Sequence, residues 1–448
     1  MKRMNLGAAT FLCIVLFTMV CVAPVFGAGS QEPKTNADGK IEIVYWYPWT
    51  GESETFDLDR VAQFEEQNPQ YDVIPVFRDG GGVLDGQLLA AMASGNAPDV
   101  VATNHYATAF SLIFEDALQE LDPYMEEIGL KGSDISSTYR GMLQANDSYY
   151  LLPELGLVRL MLYDKVALEE AGLSTVDLPE TIDELDAYIS TLNKVSADGD
   201  IERIGFVPWL DDGADPILWA YMFGADVYDP ATNKINVAND KMVDMLAWQA
   251  RFAESLGGRE KIDTFVATLG GAFSPDHGLM TGKTPIVLMG SWYTNALRIF
   301  KPELEYVVSP ISAPEYGRVG GSMLTMNVFL SPKGAKNPKG GVEFAQFCGQ
   351  PDIVAENINT WRSMSAYTGE SDAIVWEQNG DPVWATMKEI TSNADAAGHP
   401  ILPPVSQQLQ EELMSLRDAV TYGDIAVGDI MAELTRIETS LQAEMNKL

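Results

Sequence analysis

The stretch "LDGQLLAAMASGNAPDVVAT", residues 84–103, carries the pattern that decides the fold. Leu84, Leu88 and Met92 recur at helical spacing, and Gly95 then offers the residue type that favours a helix C-cap. The closing letters "DVVAT" are rich in β-branched residues and predict a short strand. The stretch therefore predicts a helix that leads directly into a strand.

The same alternation extends upstream of this stretch. "KIEIVYWY" (40–47) predicts a strand, "FDLDRVAQFEEQNP" (56–69) a helix, and "YDVIPVF" (71–77) another strand. The resulting order β-α-β-α-β indicates a parallel sheet with right-handed crossovers, the signature of an α/β protein.

Helical patterns dominate much of the remaining chain. Thr181 is a good N-cap because Glu184 follows three residues later, as in a capping box. A helical middle over about 215–300 is broken by Gly and Pro, and the tail over 407–445 is almost wholly helical. A chain of 448 residues exceeds one ordinary core, so we expect two lobes.

The charge of the chain is strongly acidic. It contains 29 Lys+Arg against 64 Asp+Glu, a formal net charge of −35. Such a surface repels nucleic acid and anionic lipid, so we expect no nucleic-acid partner. The hydrophobic content of 46% and charged content of 21% are typical of a folded soluble protein.

The N-terminus has the features of a secretory signal. Lys2 and Arg3 precede an uncharged apolar run over 6–22, and small residues follow near Ala28. We therefore expect residues 1–27 to be removed as a signal peptide and the mature protein to be periplasmic.

Two alternatives to a soluble mature form stay open. One is a retained membrane anchor, for which the apolar run is short. The other is lipid attachment at Cys21, although the residues before it lack the small residue that a lipobox normally has. In each case residues 28–40, which are polar and contain Pro and Gly, predict a flexible tether.

Cysteine and histidine are scarce. After signal removal only Cys348 remains, so neither an intramolecular disulfide nor a Cys-based zinc site can form. The three histidines, His105, His277 and His399, lie far apart in sequence and form no metal-binding pattern. We expect no metal ion and no cofactor.

Motifs that suggest other chemistry fail on their spacing. "HGLMTGKT" (277–284) resembles a phosphate-binding P-loop but has His277 where the pattern needs Gly. "WLDDGADP" (209–216) clusters three carboxylates without EF-hand spacing, and we interpret it as a solvated acidic loop. No spacing singles out a carboxylate pair for glycoside hydrolysis. A glycosidase nevertheless stays open, because any two of the 64 acidic residues could meet at the right separation in the fold.

Aromatic residues gather where the predicted strands end. In "YWYPWTG", Trp46, Tyr47 and Trp49 lie at or just past the carboxyl end of the first strand, and Asn104 and His105 follow the third. Ligands of open α/β sheets bind outside the carboxyl ends of the strands. We therefore expect these residues to face a cleft.

Four tryptophans stand beside turn residues: Trp49, Trp209, Trp292 and Trp361. Their flat apolar faces match the CH face of a pyranose ring, while carboxylates and amides bind its hydroxyls. Taken together they favour a carbohydrate cleft.

Several segments resemble the family 1, carbohydrate-type solute-binding proteins of ABC transporters, which include maltose-binding proteins. "LLAAMASGNAPDVV" (88–101) is similar to the family's "LLAAIASGDAPDVV". "YYLLPELGLVRLMLYDKVALEEAGL" (149–173) resembles "YGLP…LYYNKDLFEKAGL", and "TGKTPIVLMGSW" (281–292) resembles "GKAAMxxxGxW". The resemblance covers about residues 40–448.

The resemblance implies a two-lobe α/β periplasmic-binding-protein fold of type II-like topology, with a ligand cleft between the lobes. It places lobe one at 41–152 plus 315–365 and lobe two at 153–314 plus 366–448. More than one crossing of the chain would join the two lobes.

The resemblance also implies site residues. Glu154 follows Pro153 at the first crossing, as in the family's hinge segment, and Trp292 corresponds to the family's cleft tryptophan in "GxW". Trp361 and Arg362 lie near a region of ligand contacts, where "NTWRSMSAY" differs from the family's "GYIPVRKSA".

Our hypothesis is the extracytoplasmic substrate-binding component of an ABC importer, a monomer that captures a sugar or small oligosaccharide by hinge closure. It would perform no chemistry and would deliver its ligand to an inner-membrane ABC permease. Trp46 and Trp49 would form one wall of the site and Trp292 the facing wall. The alternatives are an exported carbohydrate-active enzyme and a binding protein for a glycerophosphodiester or a polyamine.

Overall fold

A computed structural model describes residues 34–369, 371–375, 380–393 and 395–447 of the chain. The signal peptide predicted over 1–27, the lipid site at Cys21 and the start of the tether all lie outside these ranges. None of the described helices is both long enough and apolar enough to cross a membrane.

The strands alternate with helices along the first hundred residues and are spread more widely afterwards. In chain order they are β1 (Ile41–Tyr47), β2 (Tyr71–Phe77), β3 (Val100–Thr103), β4 (Gln144–Ala145), β5 (Ser148–Tyr149), β6 (Leu151–Asp164), β7 (Lys194–Val195), β8 (Ile201–Arg203), β9 (Tyr228–Asp229), β10 (Lys234–Ile235), β11 (Ile286–Gly290), β12 (Tyr306–Ser309), β13 (Ser322–Leu330) and β14 (Ala397–Gly398).

The helices pack against the sheet and outnumber the strands among the described residues of the second half of the chain. In chain order they are α1 (Glu52–Gln67), α2 (Gln87–Ala93), α3 (Tyr106–Phe114), α4 (Asp122–Ile128), α5 (Ser137–Arg140), α6 (Lys165–Glu170), α7 (Ile182–Leu192), α8 (Pro216–Met222), α9 (Asp240–Ser255), α10 (Arg259–Val266), α11 (Tyr293–Phe300), α12 (Pro338–Gly349), α13 (Pro351–Trp361), α14 (Pro382–Ser392), α15 (Ser406–Tyr422) and α16 (Ile430–Met445).

Local sequence explains where several helices begin. The Thr181 hydroxyl accepts a hydrogen bond from the Glu184 amide, and the Glu184 carboxylate accepts one from the Thr181 amide, so the predicted capping box is confirmed at the start of α7. By contrast, α2 begins at Gln87 and excludes Leu84, because Gly86 takes a left-handed conformation with φ of 76°. Leu84 is half-exposed as a result and lines part of the cleft described below.

The main sheet has the order β2-β1-β3-β13-β6-β11. β1 pairs in parallel with β2 and β3, which confirms the parallel arrangement predicted for the first three strands. β13 then pairs antiparallel with both β3 and β6, so a strand from late in the chain enters between early ones. The sheet is therefore mixed.

β6 is the strand that joins the two lobes. Its first half, Leu151–Val158, pairs with β13, whereas its second half, Arg159–Asp164, pairs with β11 and β12. β13 also runs past the junction, because it pairs with β3 at one end and with β14 at the other. Two neighbouring strands thus cross between the lobes and position the cleft.

Each lobe packs around its own group of aromatic side chains. In the first lobe, Tyr45 packs against Phe329 and Phe344 with ring centroids 6.3 and 4.8 Å apart. In the second, Trp219 and Trp248 meet edge to face with centroids 4.9 Å apart. Burial of each large side chain is worth roughly 1.5–3 kcal/mol or more, so these clusters hold the lobes rigid on either side of the crossing strands.

The protein is a mixed α/β, two-lobe fold with a cleft beside the crossing strands. The tail helix α15 packs against α9 and α8 and also touches α3 through Ser406, whose hydroxyl lies 2.9 Å from that of Ser111. The residue boundaries predicted for the two lobes stay a prediction.

Candidate functional site

An aromatic cavity of about 300 Å³ opens beside β6 and β13, and we call it the first chamber. Its walls are five rings from five separate loops or helices: Trp49, Phe56, Phe273, Trp292 and Trp361. Polar residues of the crossing strands, among them Glu154 and Asn327, also line it. The chamber combines flat apolar faces with a few polar atoms, as sites for small ligands commonly do.

Three of the rings contact one another. Phe273 stacks on Trp292 with centroids 5.3 Å apart and an interplanar angle of 18°, and it meets Trp361 edge-on at 5.8 Å. Trp292 directly precedes α11, and its indole lies so close to Gly290 that any side chain at Gly290 would clash with it. Phe273 is half-exposed on a loop, whereas Trp292 is more deeply buried.

A buried charged group lies beneath the rings. The Arg60 guanidinium is 1% exposed and pairs with both Asp57 and Glu154, the latter at 2.6 Å. Asp57 also accepts a hydrogen bond of 2.5 Å from the Tyr45 hydroxyl, and Arg60 donates to the Cys348 carbonyl. The group holds two carboxyl groups and one guanidinium, so Arg60 can offset only one of the two carboxylates when both are ionised.

Glu154 is positioned by a β-bulge. The pairing of β13 with β6 shifts register between Asn327 and Val328, so that Glu154 is the extra residue between the paired Pro153 and Leu155. Bulges of this kind redirect a side chain, and they are common next to functional sites. The bulge thereby places a carboxylate in the chamber from the apolar first half of β6.

One oxygen of Glu154 is available to a ligand. The side chain is 2% exposed and lines the first chamber, and its Oε2 atom has no hydrogen-bond partner within the described part of the chain. Burial raises the pKa of Glu154, and the neighbouring Arg60 guanidinium opposes that rise. The nearby side-chain amide of Asn327 also favours the ionised form of Glu154. It does not make a hydrogen bond of normal geometry to Oε2. A buried acceptor without a partner is costly unless a ligand satisfies it.

A second cavity of about 380 Å³ continues from the first, and we call it the second chamber. The two share four lining residues: Asn104, Arg159, Asp212 and Thr325. The second chamber is more polar than the first, and side chains of α15 such as Gln410 and Glu411 close one side of it. Together the chambers form one elongated cleft.

Arg159 stands at the junction of the chambers. Its Nε lies 3.4 Å from an Asp212 carboxylate oxygen and its Nη2 lies 3.9 Å from Asp215. The Nη1 atom has no partner among the described residues. Burial raises the pKa of Asp212 and the Arg159 charge opposes that rise. The junction therefore offers both donors and acceptors to ligand hydroxyls.

The acidic segment that carries Asp212 is held rigidly. The buried Trp219 indole donates to the carbonyls of Pro208 and Gly213, at 2.8 and 2.9 Å. His277 lies with its Nε2 atom 3.1 Å from Asp211 and its Nδ1 atom 2.5 Å from the Tyr293 hydroxyl. Our interpretation of 209–216 as a solvated loop is wrong, because three of its carboxylates, Asp211, Asp212 and Asp215, line the cleft.

Six of the ten site residues proposed from the sequence line the cleft: Trp49, Asn104, His105, Glu154, Trp292 and Trp361. The structure brings them together from five different elements, although they span more than three hundred positions of sequence. Whether each one contacts a ligand stays a prediction.

Two residues of the aromatic stretch lie in the first lobe's interior. Trp46 is 6% exposed, because the turn Asp79–Gly82 passes over its ring and Gly82 adopts φ of 74° to do so. Tyr47 is equally buried and its hydroxyl donates to Glu54 at 2.9 Å. The wall that we assigned to Trp46 is formed by Trp49 and Phe56 instead.

The other two proposed residues also lie outside the chamber linings. Trp209 is 7% exposed, packs edge-on against Phe252 and carries the Arg259 guanidinium 4.4 Å above its ring. Arg362 ends α13 in a left-handed conformation, and its Nε donates to Asp381 at 2.9 Å. Both have structural contacts of their own.

Sequence reasoning missed several residues that line the cleft, notably Asp57, Arg159, Asp212 and Phe273. Arg159 carried a usable signal, since it is the one charged residue in the apolar run "LGLVRLML". Phe273 lies in a loop without a distinctive pattern. In the described ranges no cluster of three or more His, Cys, Asp or Glu side chains is arranged to hold a metal ion.

Comparison with known proteins gives one family. A model described as bacterial extracellular solute-binding protein matches residues 48–355. An ABC transporter extracellular-binding protein of Pyrococcus horikoshii is 24% identical over 350 residues, which cover 72% of this chain and 71% of that protein. The sn-glycerol-3-phosphate-binding periplasmic protein of Escherichia coli (strain K12) is 26% identical over 162 residues, 35% of this chain and 36% of that protein.

A similar fold occurs among solved structures. The structure of CpMnBP1 with mannobiose bound matches with a TM-score of 0.78 at 22% identity, and the match covers 90% of this chain and 99% of that chain.

Proposed function

Since the chain belongs to the bacterial extracellular solute-binding protein family, we propose that it captures a sugar or small oligosaccharide in the first chamber for an ABC importer. Substrate binding for the importer is the family's role. The sugar is our assignment, and it is supported by the chemistry of the chamber.

The observation that carries the proposal is an aromatic chamber with partnerless polar atoms. The faces of Trp49, Trp292 and Trp361 suit the CH faces of a pyranose ring. The free Oε2 of Glu154 accepts and the free Nη1 of Arg159 donates, which matches hydroxyl groups that can do both. Neither a purely apolar nor a purely ionic ligand would satisfy all of these groups.

In this proposal one sugar ring lies between Trp49 of the first lobe and Trp292 of the second. A longer saccharide continues past Asn104 and Thr325, which line both chambers, into the second chamber. The first chamber then supplies orientation and most of the buried apolar area, and the second accommodates additional rings.

Closure of the cleft follows from contacts on both sides of it. Glu52 at the start of α1 accepts hydrogen bonds from Asn295 and Arg298 of α11, at 3.1 and 3.3 Å. Exposed pairs of this kind contribute about 0–1 kcal/mol, too little to hold the lobes together alone. A ligand that touches both walls adds the remaining stabilisation and shifts the open–closed equilibrium.

We also propose that the protein is a monomer, that it performs no catalysis and needs no cofactor, and that it passes its ligand to an inner-membrane permease. The mature chain would begin near Ala28 and be soluble in the periplasm. Intact mass of the secreted form tests this directly, and a lipid at Cys21 or an uncleaved N-terminus would overturn it.

The experiment for the proposal is a thermal-shift screen with saccharides, followed by calorimetric titration. A ligand at one hundred times its dissociation constant stabilises the fold by about 2.7 kcal/mol, which shifts the melting temperature measurably. We expect di- to tetrasaccharides to raise the melting temperature and to be recovered unchanged. If no saccharide does so, the sugar assignment is wrong, and if the saccharide is consumed, the protein is an enzyme.

A further inference from the structure

The walls of the cleft carry an excess of negative charge. Six carboxylates line the two chambers: Asp57, Glu154, Asp211, Asp212, Asp215 and Glu411. Arg159 is the one guanidinium or ammonium group among the described lining residues. His105 and His399 add no compensating charge, since burial lowers the pKa of both rings and keeps them neutral at neutral pH.

The charge of Arg159 is already matched by its neighbours. Asp212 and Asp215 approach two of its nitrogen atoms at 3.4 and 3.9 Å. A phosphate or carboxylate on a ligand would have to compete with these carboxylates while leaving water, which is costly unless a new cation pairs with it. The junction therefore disfavours anionic ligands.

The base of the first chamber holds more acidic groups than cations. Arg60 offsets only one of the two carboxylates that it contacts, Asp57 and Glu154. The other groups facing them are uncharged, because burial raises the pKa values of Tyr45 and Cys348. Burial raises the pKa of Glu154, so a cation that reaches its Oε2 atom, which is buried, partnerless and part of the chamber lining, would stabilise the ionised carboxylate.

Aromatic faces surround this carboxylate. Trp49, Phe56 and Trp292 line the same chamber, and ring faces attract an ammonium group through their quadrupoles, most strongly when water is excluded. A buried carboxylate acceptor beneath several rings is thus better matched by an ammonium donor than by a neutral hydroxyl.

We propose that the ligand is an amino sugar or amino-sugar oligosaccharide, whose protonated amine lies in the first chamber and donates to Glu154 Oε2. This inference rests on the proposed sugar-binding function and deepens it by naming the substrate class. Sugar acids and sugar phosphates are excluded by the same charges.

The test compares saccharides that share size and linkage and differ in charge at one position. Calorimetric titrations use the β-1,4-linked glucosamine dimer, cellobiose and N,N′-diacetylchitobiose, with glucosamine, glucose, glucuronate and glucose 6-phosphate as the monosaccharide series. We expect the amine to bind about tenfold or more tightly than its neutral counterpart, as a charge-assisted hydrogen bond implies, and the anions not to bind.

A pair of variants locates the effect. Glu154→Gln keeps the shape of the side chain and leaves Arg60 paired with Asp57, so it should fold and bind the amine and the neutral sugar equally well. Glu170→Gln removes one exposed charge from α6, far from the chamber linings, and should keep the full preference. Loss of the preference in both variants would place its origin in overall charge and overturn the assignment to Glu154.

The outcomes separate this inference from the proposed function. If neutral saccharides bind as tightly as their amines, or if no amine binds, the amino-sugar inference is wrong. The sugar-binding function still holds in that case, provided that at least one neutral saccharide binds. If the anionic sugars bind best, the charge argument fails. If no saccharide of either series or of the wider screen binds, both are wrong.

Discussion

The two chambers share the same crossing strands but are built for different tasks. The first is walled by aromatic rings and has a buried carboxylate group held by Arg60 at its base. The second is polar, is closed on one side by α15, and its Glu411 is exposed to solvent. A ligand ring in the first chamber would lie mainly against aromatic faces, whereas one in the second would lie mainly against polar side chains.

This difference indicates how affinity and length selectivity are divided. Burial of apolar surface against aromatic rings favours binding directly, whereas hydrogen bonds to polar side chains replace hydrogen bonds to water and add less. We therefore expect the first chamber to determine which ring binds and the second to modulate the preference for chain length. The predictions below test this division, beginning with the largest effect.

The strongest test of the first chamber's rigidity is removal of its buried cation. Arg60→Met leaves Asp57 and Glu154 buried without compensation, and breaking a buried pair in this way costs about 3–5 kcal/mol. Urea unfolding measures the loss. The matched Glu154→Gln variant keeps one ion pair, so its free energy of unfolding should fall much less. A loss below about 1 kcal/mol for Arg60→Met would show that the buried charged group does not stabilise the base of the chamber.

Trp292 and Trp209 form a matched pair of tryptophans, one in the chamber lining and one in the core. Trp292→Ala should weaken ligand binding by roughly 1–3 kcal/mol, about five- to over a hundredfold, because a stacking surface is lost. Trp209→Ala should instead lower the free energy of unfolding by about 3–5 kcal/mol through the cavity that it leaves.

Calorimetric titration and ligand-free melting distinguish the two tryptophan variants. The reverse pattern, in which Trp292→Ala melts early and Trp209→Ala binds poorly but folds normally, would move the ligand away from the first chamber.

His399 of the second chamber makes stability depend on pH. Burial lowers its pKa to about 3, against about 6.5 for an unperturbed histidine, so the unfolded chain binds a proton that the folded protein excludes. Stability should therefore fall as pH drops from about 6.5 towards 3, with this residue adding a slope of up to about 1.4 kcal/mol per pH unit.

The comparison for this residue is His399→Gln, measured by urea unfolding across the same pH range. The carboxylates titrate in both proteins, so the difference between the two curves isolates the histidine. Parallel curves would mean that His399 is solvated in the folded state and that the second chamber is wetter than its structure implies.

The smallest expected effect concerns length selectivity. The Gln410 amide donates to Asp215 at 3.2 Å in the second chamber. Gln410→Ala should weaken binding of a tetrasaccharide by about 0.5–1.5 kcal/mol, the usual worth of one hydrogen bond, and leave disaccharide binding unchanged. Equal losses for both lengths, measured by calorimetry, would contradict the division between the chambers.

Much of the fold was predictable because its signals are local. The helix α2 followed by β3, the parallel strands β1 to β3 and the capping box at Thr181 each depend on residues close in sequence, although the predicted helix began too early at Leu84. The placement of β13 between β3 and β6 was not predictable from such patterns, because it pairs segments more than one hundred and fifty positions apart.

The candidate site was predicted in part for the same reason. Trp49, Trp292 and Trp361 follow turns or end helices, and such positions commonly face clefts. Trp46 was wrongly assigned to the cleft because β1 is covered on both faces. The turn Asp79–Gly82 packs over the Trp46 ring, and the sequence of β1 does not reveal this tertiary contact. The Glu154 bulge and the pairing of Arg60 across 94 positions are likewise visible only in the fold.

The most direct test of the central claim is a crystal structure of the protein with the tightest-binding saccharide. The account predicts a sugar ring between Trp49 and Trp292, with a donor atom of the ligand within about 3 Å of Glu154 Oε2. A saccharide bound only in the second chamber or on the outer surface, with the first chamber empty, would contradict the account.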